Sequence, residues 1–298
     1  VFNITDDDLS DFIGENGYFS TIFDFSTELL SAGEHGWYDA PDVAFPAWKK
    51  AIFHAQDQAY GCGFESNIIE NHDEPRGASR YLPVYARNSC GTKMLGTMSL
   101  LLRGLPFIFQ GQEIGMTNTN WQSVDEFDDL NTVDQYHLAL KAGLSEKDAL
   151  DKIGRLSRDN ARTPMQWNTS SNAGFTTGIP WLRLNDNYPD VNVAAQEKDT
   201  DSVLNYYKKL IALRKSDTYK DIFTYGKTIP VFLKKEMLMA YCREKDDKRI
   251  LVLGNFGEKK EALHLSTEPK KLLLSNMNHT EIGQDIILAP QESAVVLL

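Results

Sequence analysis

The sequence predicts an α/β fold that is followed by an antiparallel β domain. Two observations support this prediction. Between Tyr18 and Phe109, strand-like and helix-like stretches alternate, which is typical of a parallel sheet or barrel with crossover helices. After Asp217 the pattern changes to short alternating strands separated by Gly, Pro, Asn and Asp. We therefore divide the chain into an α/β part, residues 1–218, and a compact, separate β-sandwich, residues 219–298.

The α/β part is predicted from apolar spacing and from helix stop signals. Phe45, Trp48, Ile52 and Ala55 recur at helical spacing, and Gly104 is a suitable C-terminal cap for a second long helix. The predicted order is a short helix at 7–13, a strand at 18–25, a helix at 45–61, a strand at 64–69, a helix at 86–103 and a strand at 107–109.

The second half of the sequence combines a long irregular segment with the predicted β domain. Residues 117–200 carry only short predicted helices, and a segment of this kind usually carries function. Ser202 is a good N-cap for the helix that follows. The predicted elements are helices at 132–142 and 145–156, and strands at 237–242, 249–253, 262–265, 271–274 and 294–298.

Composition excludes several classes of partner. The chain has 298 residues and a formal net charge of -11, which disfavours nucleic acid and anionic membranes. It has no run of about 18 apolar residues. Its three cysteines are far apart, which favours neither disulfides nor zinc and fits a reduced, cytoplasmic setting. The first five residues do not resemble a signal peptide, and glycosylation triplets at Asn3 and Asn278 carry little weight there.

Polar residues follow the central predicted strand directly. Ile68 and Ile69 run into Glu-Asn-His-Asp-Glu-Pro-Arg, so His72 and Asp73 lie at the C-terminal end of that strand. In a barrel of alternating strands and helices, this end carries the chemistry. A polar turn without chemical function explains the spacing equally well. Composition and spacing alone therefore predict an α/β protein with a polar cleft at its strand ends.

Three ordered motifs resemble the α-glucosidase and oligo-1,6-glucosidase branch of the α-amylase superfamily, glycoside hydrolase family 13. The first is Asn-His-Asp at 71–73 with Pro-Arg after it. The second is Gly-Leu-Pro-Phe-Ile-Phe-Gln-Gly-Gln-Glu-Ile-Gly-Met-Thr-Asn at 104–118. The third is Arg-Asp-Asn-Ala-Arg-Thr-Pro-Met-Gln-Trp at 158–167, followed by Asn-Ala-Gly-Phe at 172–175. The resemblance covers essentially the whole chain, but only the later part of such an enzyme.

The resemblance implies a fold and an activity. The family fold is a (β/α)8 TIM barrel followed by an antiparallel β domain, and this chain would supply the last three barrel strands. Family members cleave α-glucosidic bonds with retention, using a nucleophilic Asp after the fourth strand and an acid Glu after the fifth. Neither motif is found here, so we expect the isolated chain to be inactive. Glu15 resembles the acid only superficially, because it precedes the aromatic strand too closely.

The resemblance also assigns site residues. Asp73 matches the carboxylate that stabilises the distorted sugar at the transition state, and His72 matches a group that binds its hydroxyls. Arg158 matches an arginine that pairs with an acid from the missing half. Arg76 either faces a neighbouring subsite or lies exposed in a loop. Arg162 is interpreted as a structural ion-pair partner, and Trp167 as a core residue.

The sequence specifies the glycosidic linkage of the substrate and the binding partners of the chain less closely. Asn131 occupies a substrate-binding position where α-1,6-acting relatives usually carry Glu, which leaves α-1,6, α-1,4 and phosphorylated disaccharide substrates open. We expect an oligosaccharide substrate, no cofactor and no metal, since any structural calcium would lie in the absent half. Three strands of a closed barrel leave two open edges, so the missing half or a second copy is an expected partner. The competing hypothesis is a non-catalytic sugar-binding or partner subunit.

Overall fold

A three-stranded parallel sheet organises the first part of the chain. The computed structural model describes residues 5–277 and 279–298, so Asn3 and Asn278, the asparagines of the two glycosylation triplets, lie outside the described part. The strands are β1 (Ile22–Phe23), β2 (Glu65–Asn67) and β3 (Leu105–Pro106), in the order β1-β2-β3. The predicted alternation of strands and helices in a parallel sheet is confirmed. The third strand was predicted two residues too late, because Pro106 is tolerated at an edge and the chain leaves the ladder after it.

Helices connect the strands of this sheet and recur in the long segment that follows it. The two long crossover helices and the Ser202 cap are confirmed, and the Ser202 hydroxyl accepts from the Asn205 N–H at 3.2 Å. The helices are α1 (Leu9–Phe12), α2 (Phe45–Tyr60), α3 (Gly77–Tyr81), α4 (Ser89–Leu100), α5 (Leu130–Lys141), α6 (Glu146–Gly154), α7 (Asp159–Arg162), α8 (Val193–Lys198), α9 (Val203–Lys215) and α10 (Lys220–Tyr225).

The C-terminal region is antiparallel. A five-stranded sheet has the order β4-β5-β6-β10-β8, and a two-stranded sheet pairs β7 with β9. The five predicted strands are confirmed within a few residues, and the short strands β4 and β9 were missed. The strands are β4 (Lys227–Pro230), β5 (Leu238–Lys245), β6 (Lys248–Asn255), β7 (Glu261–His264), β8 (Lys271–Ser275), β9 (Asp285–Leu288) and β10 (Ser293–Leu297).

The large antiparallel sheet is buried on both faces. One face packs against the small sheet, with Leu251 and Leu263 in the same cluster. The other face packs against helices of the α/β part, where Trp48 of α2 and Tyr207 of α9 share a core with Val252 of β6. The division of the chain into two domains near residue 218 stays a prediction. The β region shares its main core with the helices, because the strand residues of both faces are apolar.

Glu65 at the start of β2 makes stability depend on pH. Burial raises the pKa of Glu65 from 4.5 to about 8, with a further rise from Asp24, and Arg103 opposes the shift. The folded protein therefore binds this proton more tightly than the unfolded chain does. The contribution to stability is complete below pH 4.5 and is lost as the pH rises through about 8.

We expect the free energy of unfolding to fall by up to about 1.4 kcal/mol per pH unit across this window. Urea unfolding at several pH values from 5 to 9 measures it. Glu65→Gln should make the profile less steep, whereas Glu15→Gln, at an exposed position, should leave it unchanged. An equally steep profile in Glu65→Gln would assign the pH dependence to other groups.

Candidate active site

A cleft opens where the three parallel strands end. Its volume is about 300 Å³, and it combines an apolar wall with carboxylates. Phe107 and Ile108, just after β3, are 44% and 37% exposed, which is unusual for apolar residues of a barrel strand. The wall is formed by Phe23, Phe25, Ile68, Phe107, Ile108 and Phe109, and the polar side is formed by Glu28, Glu70, Asn71, His72, Asp73 and Glu74.

Asp73 is the most extensively bound carboxylate of this cleft. Its Oδ1 accepts from Arg158 Nη1 at 3.2 Å and from Arg162 Nη2 at 2.9 Å. Its Oδ2 lies 3.2 Å from His72 Nε2, and its backbone N–H donates to Asn71 Oδ1 at 2.7 Å. The side chains of Asp73 and His72 remain 51% and 73% exposed. Asp73 is therefore held in one orientation while a free side faces the cleft.

Each of the two arginines is held in turn by a buried carboxylate. Asp129 Oδ1 accepts from Arg158 Nε at 2.8 Å, and its Oδ2 accepts from the Thr132 N–H and hydroxyl at 3.0 and 2.6 Å. Burial disfavours the Asp129 carboxylate, but these hydrogen bonds outweigh burial and lower its pKa. Asp159 lies 3.6 Å from Arg162 Nη1, and its other oxygen accepts from two successive backbone N–H groups at 128 and 129.

Arg76 is buried, which corrects both of its predicted roles. Its side chain is fully shielded from solvent and cannot contact a sugar subsite or lie exposed in a loop. Its guanidinium donates to the carbonyls of Gln110, Asn160 and Ala161 at 2.6, 3.2 and 3.2 Å, and approaches the Met116 sulfur at 3.7 Å. These acceptors come from the second and third motifs. Arg76 therefore joins all three sequence motifs from beneath.

Asn160, the middle residue of the Arg-Asp-Asn-Ala-Arg motif, has a structural role. Its buried amide oxygen accepts from the Thr119 N–H at 3.0 Å and from Trp121 Nε1 at 2.9 Å. Its amide nitrogen donates to the carbonyls of Gly154 and Ser157 at 2.7 and 2.8 Å. Both polar ends of the side chain are thus satisfied, and the amide fixes the turn that carries the two arginines.

Two of the other carboxyls that line the cleft, those of Glu28 and Glu70, have raised pKa values. Burial raises the pKa of Glu70 to about 7, although Arg76 opposes the shift. Glu70 Oε2 accepts from the Gly77 N–H at 2.5 Å, while Oε1 lies 3.7 Å from Arg76 without a hydrogen bond. Burial also raises the pKa of Glu28 to about 7, against the attraction of Arg80. The cleft can therefore hold carboxyls that are neutral near pH 7.

The other predicted residues do not line this cleft. Asn131 lies exposed on the first turn of α5, two residues after Asp129. Glu15 is exposed in the bend between Ile13 and Phe19, which form an isolated bridge. Trp167 is 47% exposed, so its assignment to the core is wrong; its N–H donates to the Ala173 carbonyl in a loop.

Sequence reasoning missed part of the network around Asp73. Arg162 was expected to be an ion-pair partner, which is confirmed, but its partner is the site carboxylate itself. Asp129 and Asp159 were not singled out. A signal existed for Asp129, because Asp three residues before Thr132 at a helix start is typical of an N-cap. No comparable local signal identifies Asp159.

The described part of the chain has neither a membrane-spanning helix nor a cluster of side chains suited to a metal ion. Within residues 5–277 and 279–298, no helix is both long and apolar enough to span a bilayer. Among the same residues, no group of three or more His, Cys, Asp or Glu side chains is arranged to hold a metal ion. The three cysteines are free.

The fold and the cleft at the strand ends define a partial barrel-type α/β protein with an antiparallel β domain. Residues 13–226 match the family described as alpha amylase, catalytic domain, and residues 238–295 match the alpha-amylase SusG C-terminal domain. This chain belongs to the α-amylase family of glycoside hydrolases.

Relatives of known identity share this architecture. The chain is 36% identical to an oligo-1,6-glucosidase of Parageobacillus thermoglucosidasius over 92% of its own length and 50% of that protein. It is 36% identical to a trehalose-6-phosphate hydrolase of Bacillus subtilis over 80% of its length and 43% of that protein. The crystal structure of Bacillus licheniformis trehalose-6-phosphate hydrolase superposes with a TM-score of 0.91 at 31% identity, covering 100% of this chain and 55% of that one.

The relatives establish the fold class of this chain and show how much of each relative it covers. The chain spans about half the length of the curated relatives it matches. It has the fold of the C-terminal portion of a (β/α)8 barrel, followed by an antiparallel β domain, as predicted.

Proposed function

We propose that this chain supplies one side of the active site of a retaining α-glucosidase that acts on short α-glucosides in carbohydrate catabolism. The observation that carries the proposal is the Asp73 carboxylate, which two arginines orient while one side stays open to the cleft. Names of relatives support the same chemistry, because they include oligo-1,6-glucosidase and glucan 1,6-alpha-glucosidase. We also propose a reducing, cytoplasmic location, in keeping with three free cysteines.

Asp73 and His72 have a defined task in this proposal. They hydrogen-bond the hydroxyls of the sugar whose bond is cleaved, and these bonds strengthen as the ring flattens in the transition state. Arg158 and Arg162 keep the Asp73 carboxylate oriented, and Arg158 retains an exposed fraction that can meet the sugar. The apolar wall formed by Phe107 and its neighbours excludes water from the reacting bond.

The nucleophile and the acid come from outside this chain in our proposal. Retaining hydrolysis needs two carboxyl groups about 5 to 5.5 Å apart on either side of the bond. A preceding half-barrel that pairs with β1 and β3 would supply both groups and would cover Phe107 and Ile108. The same half-barrel would remove the two open edges of the parallel sheet.

Asp73→Ala tests the proposed role of this carboxylate. The chain is supplied with an N-terminal half-barrel that carries the nucleophile and the acid, either fused or co-expressed. We expect Asp73→Ala to lower kcat/KM for p-nitrophenyl α-glucoside by roughly 10²- to 10⁴-fold, since several kcal/mol of transition-state binding are lost. The release of nitrophenol measures this.

Asp217→Asn is the matched control, because the Asp217 side chain is 96% exposed and forms a surface ion pair with Lys220. It should leave kcat/KM unchanged. A complete enzyme that hydrolyses no α-glucoside, or an Asp73→Ala variant with full activity, would contradict the proposed function.

A further inference from the structure

The buried side chain of Asp129 has two structural roles. One carboxylate oxygen contacts Arg158 at Nε and Nη2, at 2.8 and 2.6 Å. The other oxygen caps helix α5 through the Thr132 N–H and hydroxyl. The side chain is 2% exposed, so solvent does not compete for these contacts. The start of α5 and the guanidinium of Arg158 are thus fixed to the same group.

The connection is reciprocal. The segment at 157–162 holds the segment at 128–132 through Asp159, whose Oδ2 accepts from the N–H groups of residues 128 and 129 at 2.9 Å each. Ser157 and Thr132 add a hydroxyl contact of 2.9 Å. The two segments therefore form one hydrogen-bonded unit, and both arginines that contact Asp73 belong to it.

We propose that Asp129 is a positioning residue for the cleavage reaction: it fixes Arg158, and through Arg158 it fixes the carboxylate of Asp73. This inference rests on the proposed function of Asp73. A flexible arginine has many rotamers, and its fork orients a carboxylate only when its other donors are held. Asp129 provides this restraint at the end of the side chain that faces away from Asp73.

The same unit carries Asn131, which lies on the first turn of α5 two residues after Asp129. If the Asp129 carboxylate shifts, the start of α5, which carries Asn131, and the guanidinium of Arg158 shift with it. The orientation of Asp73 is therefore coupled to the position of the first turn of α5. Substitution of Asp129 should affect catalysis without removing any group that touches the sugar.

Proton exchange at the arginine Nε–H groups tests this inference on the chain itself. Asp129→Ser keeps an N-cap hydroxyl for Thr132 but is too short to reach Arg158. We expect the Arg158 Nε–H to exchange with water at least about tenfold faster in Asp129→Ser, since a charge-assisted hydrogen bond is lost. Resonances are recorded in ¹H–¹⁵N spectra, and Arg158→Lys assigns the signal.

Two internal comparisons separate positioning from loss of a helix cap. Ser145→Ala removes the cap of the neighbouring helix α6, where the Ser145 hydroxyl accepts from the Asp148 N–H at 3.1 Å. It should leave exchange at Arg158 unchanged. The Arg162 Nε–H, which donates to the His72 carbonyl at 3.0 Å, serves as an internal reference. Unchanged exchange at Arg158 in Asp129→Ser would overturn the inference.

Kinetics of the complete enzyme provide the second measurement. We expect Asp129→Ser to lower kcat for p-nitrophenyl α-glucoside by about tenfold while KM changes less than about twofold, because Asp73 acts mainly in the transition state. Ser145→Ala should change neither parameter. A normal kcat in Asp129→Ser would overturn the link to Asp73. If the enzyme hydrolyses no α-glucoside, the proposed function fails, and the exchange measurement still decides whether Asp129 holds Arg158.

Discussion

Replacing Arg76 by alanine is expected to lower the free energy of unfolding by about 3 to 5 kcal/mol. The substitution would leave the carbonyls of Gln110, Asn160 and Ala161 without their donor, and Asn160 and Ala161 are buried away from water. It would also leave the buried Glu70 carboxyl without its cationic neighbour 3.7 Å away. Urea unfolding followed by far-UV circular dichroism measures the loss.

Two variants define the scale of the Arg76 effect. Arg76→Lys should recover only part of the stability, because one ammonium group cannot serve three separated acceptors as the fork does. Arg249→Ala removes an exposed arginine that pairs with Glu244 and should cost less than about 1 kcal/mol. A loss in Arg76→Ala no larger than in Arg249→Ala would mean that the three motifs do not depend on this guanidinium.

Trp48→Ala is expected to cost a similar amount, about 3 to 5 kcal/mol, through loss of burial and an unfilled cavity. Trp48 is 2% exposed and stacks on Tyr81 with ring centroids 5.1 Å apart. Its ring also lies 5.8 Å from that of Phe256, which follows strand β6. One side chain thus connects the α/β part with the β region.

The unfolding midpoint by far-UV circular dichroism, with Trp181→Ala as the matched control, measures the Trp48 effect. Trp181 is 63% exposed, so its removal should change the free energy of unfolding by less than about 0.5 kcal/mol. Because the core is shared, both regions should be destabilised together in Trp48→Ala. Separate transitions, with the β region unaffected, would instead support two independent domains with a boundary near 218.

Much of the fold was predictable because its signals are local. The apolar spacing of α2 and the Ser202 cap lie within a few residues of the elements they define. The shared core was not predicted, although strand β5 carried a signal. Leu238 to Cys242 is continuously apolar, a pattern typical of strands buried on both faces. The short strand β9 has only four residues, with exposed positions at Asp285 and Ile287, and a strand this short gives a weak signal in sequence.

The candidate site was predictable only in part, for a physical reason. His72 and Asp73 follow a strand directly, so the sequence places them at its end. The burial of Arg76 depends instead on acceptors 34 to 85 positions away along the chain. The roles of Asp129 and Asp159 likewise arise from contacts across about 30 positions. Such long-range hydrogen bonds leave no periodic trace in a single sequence.

The most direct test of the whole account is the release of nitrophenol from p-nitrophenyl α-glucoside by the purified 298-residue chain alone. We expect no turnover, because the nucleophile and the acid of the proposed enzyme lie in a half-barrel outside this chain. Addition of that half-barrel should restore activity in the chain but not in Asp73→Ala. Turnover by the chain alone that Asp73→Ala abolishes would contradict the account, and it would direct attention to Glu28 and Glu70, whose carboxyls line the same cleft.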